Sequence, residues 1–436
     1  MHKKPVILIA IAFLILLCAG IFFALNIPAL QINPGDSTYE TRYFNPDTVT
    51  RLDITISPED WEEMIKNAED QEWHTCTLTL NGDEYKETGI RTQGGMTLTS
   101  VAETDSTRFS FKFKADKYVS GQSFAGLDEF VIRNEIEDPT YMREYLSYEL
   151  LNCLGVPSPL YAYAAVYLNG EYFGLYLMVE SVNESFIKRT YNTDAGKLYK
   201  AGKEAQFVLA YTDDEISSYE DIFESAVSKD VSNEDKKRLI EIIHRINTDS
   251  SPDACIDADE IIRYLAANTA MVNTDSYMKG NNYIVYEAGG KIRILPWDFD
   301  RSFGLHRPKS HGVSNIHFPI DSPVMTDRYQ VDELPLLKLV LSNEEYKKSY
   351  HRYLKEAAEE FLQEKMGQEI DRLDVLIGEY VKTDPTGYFS YDEYKAGLAE
   401  LRAFAQKRAQ SILGQLAGEI AATHAGQAEN PEKLVV

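Results

Sequence analysis

Three carboxylates stand close together in the stretch "NTDSYMKGNNYIVYEAGGKIRILPWDFDRSFG", residues 273–304. Asp275 precedes two apolar runs joined at Gly289-Gly290. Asp298 and Asp300 follow them, alternating with Trp297 and Phe299, and Asn281 and Asn282 lie in between. Charged side chains beside apolar strand ends are costly unless something pairs with them. A metal ion or a catalytic proton transfer would supply that partner. A plain ion pair would also do so, joining Asp298 or Asp300 to Arg301 or Arg293 and leaving Asp275 to cap a loop.

The order acid, amide, hairpin, acid is the one protein kinases use for phosphoryl transfer. The first Asp accepts the hydroxyl proton, and the Asn and the later Asp hold Mg²⁺. Mg²⁺ is hard, keeps several waters and bonds phosphate oxygens, so one carboxylate and one amide oxygen at adjacent strand ends suit it. In kinases the Asn lies five residues past the first Asp, and the second Asp opens Asp-Phe-Gly. Here Asn281 and Asn282 come six and seven residues on, Asn273-Thr274 stands where kinases have His-Arg, and "WDFD" replaces Asp-Phe-Gly. The likeness is one of order rather than of sequence.

The elements that must position these groups are legible in outline. "RLDITI" (51–56) alternates like a strand, and Ser57-Pro58 opens a helix. Asn81-Gly82 and Asn169-Gly170 each read as the turn of a hairpin. "RFSFKFKAD" (108–116) puts Ser110, Lys112 and Lys114 on one strand face and three phenylalanines on the other. "EDPTYMREYLSYELLNCLG" (137–155) predicts a helix capped by Asp138 and ended by Gly155. Beyond about residue 215 helical periodicity takes over, including 344–380 and 391–418. This α+β pattern predicts a strand-rich lobe over 46–181, a helix-rich lobe over 182–418 with a cleft between them, and a flexible tail over 419–436.

"NTDSYMKGNNYIVYE" with "LPWDFDRSFG" resembles the spore coat protein H (CotH) kinase family, an atypical protein-kinase-like group. "GIRTQGG" (89–95), "RFSFKFKA", "YMREYLSYELLNCLGVPSP", "VYLNGEYFGLYLMVESV" and "GKLYKAG" (196–202) support the likeness, which runs from about residue 50 to about 415. The resemblance implies a two-lobed kinase-like fold that uses ATP and Mg²⁺ (or Mn²⁺) to phosphorylate Ser or Thr of a protein. It implies Asp275 as base, Asp298 as metal ligand, and Asn282, ahead of Asn281, as the amide ligand, with Asp300 a further candidate. Lys112, with Lys114 in reserve, would reach the nucleotide phosphates and Glu144 would pair with it. Arg143 belongs to the same matching piece, and Glu180 would lie at a hinge holding the adenine through backbone groups. Arg91 beside Gly94-Gly95 offers either a phosphate-facing loop or only a turn, and no Walker pattern is present. Lys112 also reads as the solvated face of a strand.

The net charge of −25, from 44 basic and 69 acidic residues among 436, argues against a general nucleic-acid binder and suits a basic, Ser/Thr-rich protein substrate. Two lysines precede 21 uncharged residues, Pro5 to Leu25, long enough to cross a bilayer. The expectation is therefore a membrane anchor over 1–25, a linker over 26–45, a cytoplasmic N-terminus and an extracytoplasmic main domain. Secretion after signal cleavage is the alternative. Outside that span Cys76, Cys153 and Cys255 read as buried free thiols, although one disulfide would also fit. His306, His311 and His317 lack zinc-ligand spacing, and "DPTGYFSYDEY" (384–394) lacks that of a calcium loop. Two other readings stand beside this one: a catalytically silent kinase-like surface binding or assembly module, and a metal-dependent hydrolase or AMP-transferring enzyme that uses the same acids.

Overall fold

The computed structural model describes residues 38–200, 207–305 and 315–434. Among these no helix is long and apolar enough to cross a membrane. The expected membrane anchoring is thus corrected: the structure gives it no support, and the 1–25 segment on which it rested lies outside the described residues.

The N-terminal part is a closed barrel in the order β1-β2-β3-β4-β5-β7-β6. A short helix, α1 (Tyr39–Tyr43), precedes β1 (Thr50–Thr55), so part of the expected linker is packed structure. Helix α2 (Pro58–Lys66) begins as its sequence dictates, with the Ser57 hydroxyl accepting from the Asp60 N–H. β2 (His74–Leu80) and β3 (Asp83–Gln93) turn through Asn81 at φ 48° and Gly82 at φ 96°. β6 (Tyr161–Leu168) and β7 (Glu171–Glu180) turn likewise through Asn169 and Gly170. Both Asn-Gly pairs therefore adopt the left-handed backbone that a two-residue hairpin needs. Helix α3 (Met96–Ala102) leads to β4 (Ser110–Lys114), β5 (Glu129–Arg133) and helix α4 (Arg143–Cys153). Closure comes from β1 lying parallel to β6, Thr50 opposite Ala164, a pairing that no hairpin signal announces.

Alternation along β4 and β5 sorts the two faces. Phe111, Phe113, Phe130 and Ile132 fill the barrel. Val131, which lies opposite Lys112, joins Leu177 and Val179 in the core shared with the helical body. That body contains α5 (Glu184–Tyr191), β8 (Lys197–Lys200), α6 (Glu220–Glu224), α7 (Asn233–Thr248) and α8 (Ala258–Ala270). The hairpin of β9 (Tyr283–Ala288) and β10 (Lys291–Pro296) pairs with β8 in a three-stranded sheet. Then follow α9 (Pro335–Ser342), α10 (Glu344–Glu356), a π-helical stretch (Ala357–Lys365), α11 (Met366–Lys382), α12 (Tyr391–Leu416) and α13 (His424–Glu429). The expected flexible tail thus carries a docked helix, whose buried Gln427 donates to the His317 carbonyl at 2.7 Å.

Barrel and helical body are clamped by a buried ion pair. Arg108, just before β4, donates to Asp384 in the α11–α12 loop at 2.9 Å, with the two side chains 0% and 1% exposed. The same guanidinium bonds Thr386 at 2.9 Å and the carbonyls of Asn134 and Leu175. Every arm of the cation is thereby used, as burial of a charge requires. Among the described residues Cys76, Cys153 and Cys255 are free thiols, Cys76 and Cys255 buried and Cys153 partly so.

Candidate active site

Strand β5 ends at Arg133, and this side chain joins the barrel to the helical body. Its Nη1 lies 3.1 Å from Oδ1 of Asp298, and its Nε 3.5 Å from Oε2 of Glu144 on α4. The Trp297 ring sits 5.0 Å from the guanidinium carbon. Burial alone would lower the Arg133 pKa, but Asp298 and Glu144 outweigh it and raise it. Helix α4 is aimed by Asp138, whose carboxylate accepts from the N–H groups of Met142 and Arg143 at 2.9 and 2.8 Å. Asp138 thus binds the start of the helix from outside it rather than as its cap: the helix starts at Arg143, with Met142 at the cap position, and not beside Pro139. Glu144 is fully buried and also accepts from the Tyr148 hydroxyl at 2.8 Å.

On the other side, the chain leaves α8 and reaches Asp275 in a loop. This carboxylate is 5% exposed and contacts Lys279 at 2.8 Å and Arg301 at 3.5 Å. Arg301 in turn holds Glu137, from the segment between β5 and α4, at 2.6 Å. Burial, Asp298 and Glu144 push the Asp300 carboxyl well above the usual range, while Arg133 and Arg301 oppose them. Arg133 thus holds Asp298 and Glu144, Arg301 holds Asp275 and Glu137, and the charges of both reach Asp300. Asp298 sits at φ 64°, in the left-handed region that is rare outside glycine.

The family described as CotH kinase protein matches residues 90–412, about three quarters of the sequence and all of this cluster. The chain belongs to the CotH family. It is 28% identical over 279 residues to the inner spore coat protein H of Bacillus subtilis (strain 168), a match covering 60% of this chain and 73% of that protein. It is 23% identical over 357 residues to spore coat protein homolog 1 of Rhizopus delemar, covering 78% of this chain but 56% of the fungal protein. Among solved structures it is similar to HipA in a Shewanella oneidensis toxin–antitoxin complex with its operator DNA, at TM-score 0.36 and 12% identity, covering 86% of this chain and 74% of that one. A second is the Helicobacter pylori proinflammatory kinase CtkA, at TM-score 0.29 and 13% identity, covering 65% and 91%. Scores this low carry no argument about the fold or the chemistry.

Within this CotH chain several small-lobe expectations need correcting. Lys112 does not reach Glu144: it pairs with Glu129 on the neighbouring strand at 2.6 Å, and burial lowers its pKa. Lys114 sits near Asp116 and Glu129, at 3.3 and 3.9 Å. The partner of Glu144 is Arg133, one strand further on. Arg143 ties α4 to the carbonyls of Ser302 and Phe303, at 3.2 and 3.0 Å, rather than to a nucleotide. Glu180 is fully buried and spent on Arg189 (2.6 Å), the Tyr39 hydroxyl (2.7 Å) and the Leu160 N–H (2.9 Å). Its own N–H bonds the Leu160 carbonyl at 2.8 Å, so that group is not available to hold an adenine. Arg91 bonds the side-chain oxygens of Gln71 and Gln93 and lies near the Trp73 ring.

The two asparagines separate. Asn281 buries its Oδ1 without a hydrogen-bond partner, whereas Asn282 is half-buried at φ 52°. An orphaned buried oxygen is expensive, so Asn281 suits a cation ligand better than Asn282. Sequence reasoning missed Arg133 and Lys279, and it offered Arg301 only as an ion-pair partner of Asp298 or Asp300, whereas Arg301 pairs with Glu137 and Asp275. The signal for Arg133 was available, since it ends a strand and precedes the helix that carries Glu144. His317 is buried with Nδ1 3.0 Å from the Ser411 hydroxyl, while His306 and His311 lie outside the described residues.

Proposed function

We propose that this chain is a protein kinase of the CotH type, transferring the γ-phosphoryl group of ATP to a Ser or Thr hydroxyl of a protein. The observation that carries the reading is the Arg133 bridge, which joins a barrel strand, the buried Glu144 of α4 and Asp298 after the hairpin. A cation on the strand before a helix, paired with a Glu on that helix, has the same order as the Lys–Glu pair of protein kinases. Arg133 keeps Nη2 buried without a hydrogen-bond partner, a donor suited to a phosphate oxygen.

Asp275 accepts the proton of the acceptor hydroxyl as that oxygen bonds to the γ-phosphorus. The bond from phosphorus to the β,γ-bridging oxygen breaks, and ADP leaves. Lys279 and Arg301 hold the Asp275 carboxylate in place. Asp298 and Asn281 offer the oxygen pair for Mg²⁺, which when bound would neutralise phosphate charge and orient the triphosphate. The acidic surface favours a basic protein partner.

The purified chain, given Mg²⁺, γ-labelled ATP and a lysine-rich, Ser/Thr-containing protein, should place label on the protein and release ADP. Transfer of the AMP moiety instead would replace this reading with nucleotidyl transfer. No transfer and no nucleotide-induced rise in melting temperature would leave a kinase-like binding module.

A further inference from the structure

The segment that carries α2 and leads into β2 is strongly acidic: seven acidic residues and a single lysine lie between Ser57 and His74. Two of those acids, Asp60 and Glu63, stand one turn apart on α2 and face His74, the first residue of β2. A carboxylate oxygen of Asp60, a carboxylate oxygen of Glu63 and a ring nitrogen of His74 all lie within 4.8 Å of one another.

The three side chains keep donors to spare. His74 is 11% exposed at its side chain, and its Nδ1 stands 3.6 Å from Oδ1 of Asp60, too far for a hydrogen bond. Asp60 accepts from the Ser57 hydroxyl through its other oxygen, Oδ2, at 2.8 Å, which orients the carboxylate and leaves Oδ1 toward the ring. Glu63 is exposed, so its carboxylate can swing inward at little cost. Like charges one turn apart on a helix repel, and a cation between them removes that cost. An imidazole nitrogen with two carboxylate oxygens suits zinc and its borderline neighbours, whereas Mg²⁺ and Ca²⁺ take oxygen ligands.

We propose that Asp60, Glu63 and His74 form a zinc site, its fourth position taken by water, that fastens α2 to the barrel wall. Met64 and Trp61 already seat this helix on the barrel core, the Trp61 ring 5.4 Å from Phe111 and 5.7 Å from Phe173. The ion would add a link from the polar side of α2 to β2. The site precedes residues 90–412, the span matched by the family, and shares no residue with the cluster around Arg133. It therefore stands whether or not the chain transfers phosphate.

Zn²⁺ is the probe. The full chain, stripped with a chelator and kept in excess Mg²⁺ without nucleotide, is titrated with Zn²⁺ by calorimetry and melted with and without it. The wild type should bind Zn²⁺ and melt higher in its presence. Glu63→Gln and His74→Gln should each weaken binding by about 10-fold or more and lose the rise in melting temperature. Glu63 is exposed, so its variant keeps the test decisive even where His74→Gln does not fold. A plain ion pair between His74 and Asp60 has no use for Glu63 and would leave Glu63→Gln binding as the wild type does. No uptake by the wild type, or a smaller loss of affinity in either folded variant, overturns the proposal.

Discussion

Arg133 and Asp298 meet at 3.1 Å, although one ends a barrel strand and the other follows a hairpin of the helical body. The same guanidinium faces Glu144, so one side chain sets the position of both acids.

Replacing Arg133 by Met should therefore cost stability as well as activity. Removing one partner of a buried charge network typically costs about 3–5 kcal/mol, and denaturant unfolding would measure it. Phosphate transfer should fall by about 10²-fold or more, as for loss of a preorganised electrostatic contact. Lys112→Met, which touches Glu129 rather than Glu144, should leave far more activity. If the two variants lose activity equally, the strand assignment is wrong.

Asp275→Asn and Asp298→Asn separate the two carboxylate roles. Both should reduce transfer by about 10²–10⁴-fold, the range for loss of an acid–base group. Asp275→Asn should keep the rise in melting temperature caused by Mg²⁺ and the imido analogue of ATP, and Asp298→Asn should lose it. A full thermal shift in Asp298→Asn would remove that residue from the metal site.

The clamp between Arg108 and Asp384 predicts non-additivity. Either Arg108→Met or Asp384→Leu alone strands a buried charge and should destabilise by about 3–5 kcal/mol, whereas the double variant should lose less than the sum. Additive losses in a double-mutant cycle would mean that the pair does not interact.

Glu260 supplies a pH dependence. Burial pushes its carboxyl up to about 7, against the pull of the Tyr191 hydroxyl and Arg293. The folded chain then holds this proton more tightly than the unfolded chain, where the ordinary value is 4.5. Its stabilising contribution is complete below pH 4.5 and lost as pH rises through about 7. The loss is at most about 1.4 kcal/mol per pH unit. Glu260→Gln should flatten that part of the stability curve between pH 5 and pH 8, and parallel curves for the two proteins would contradict the assignment.

The hairpin of β9 and β10, the two Asn-Gly turns and α2 were readable because each is specified by neighbouring residues. Ser at the N-cap with Pro at the first helical position favours a helix start, and Asn-Gly favours a left-handed pair. The parallel pairing of β1 with β6 was not readable, since no local signal records which distant strand closes a barrel. The same limit explains the misassigned cation. Lys112 sits in a clear alternating strand, but its partner is decided by register, and β5 places Glu129 beside it. Arg133 stands where the kinase pattern has a lysine, so its residue type conceals it. The geometric demand is for a long cation beside Glu144, which a guanidinium meets. Asp298 and Asp275 stand out in the sequence by type and order, but their partners Arg133, Lys279 and Arg301 are set by the fold.

The two halves of the Arg108–Asp384 clamp leave the ribosome far apart in time, since Asp384 is made 276 positions after Arg108. A nascent barrel would carry the guanidinium without its carboxylate, so docking of the barrel onto the helical body would await the C-terminal helices.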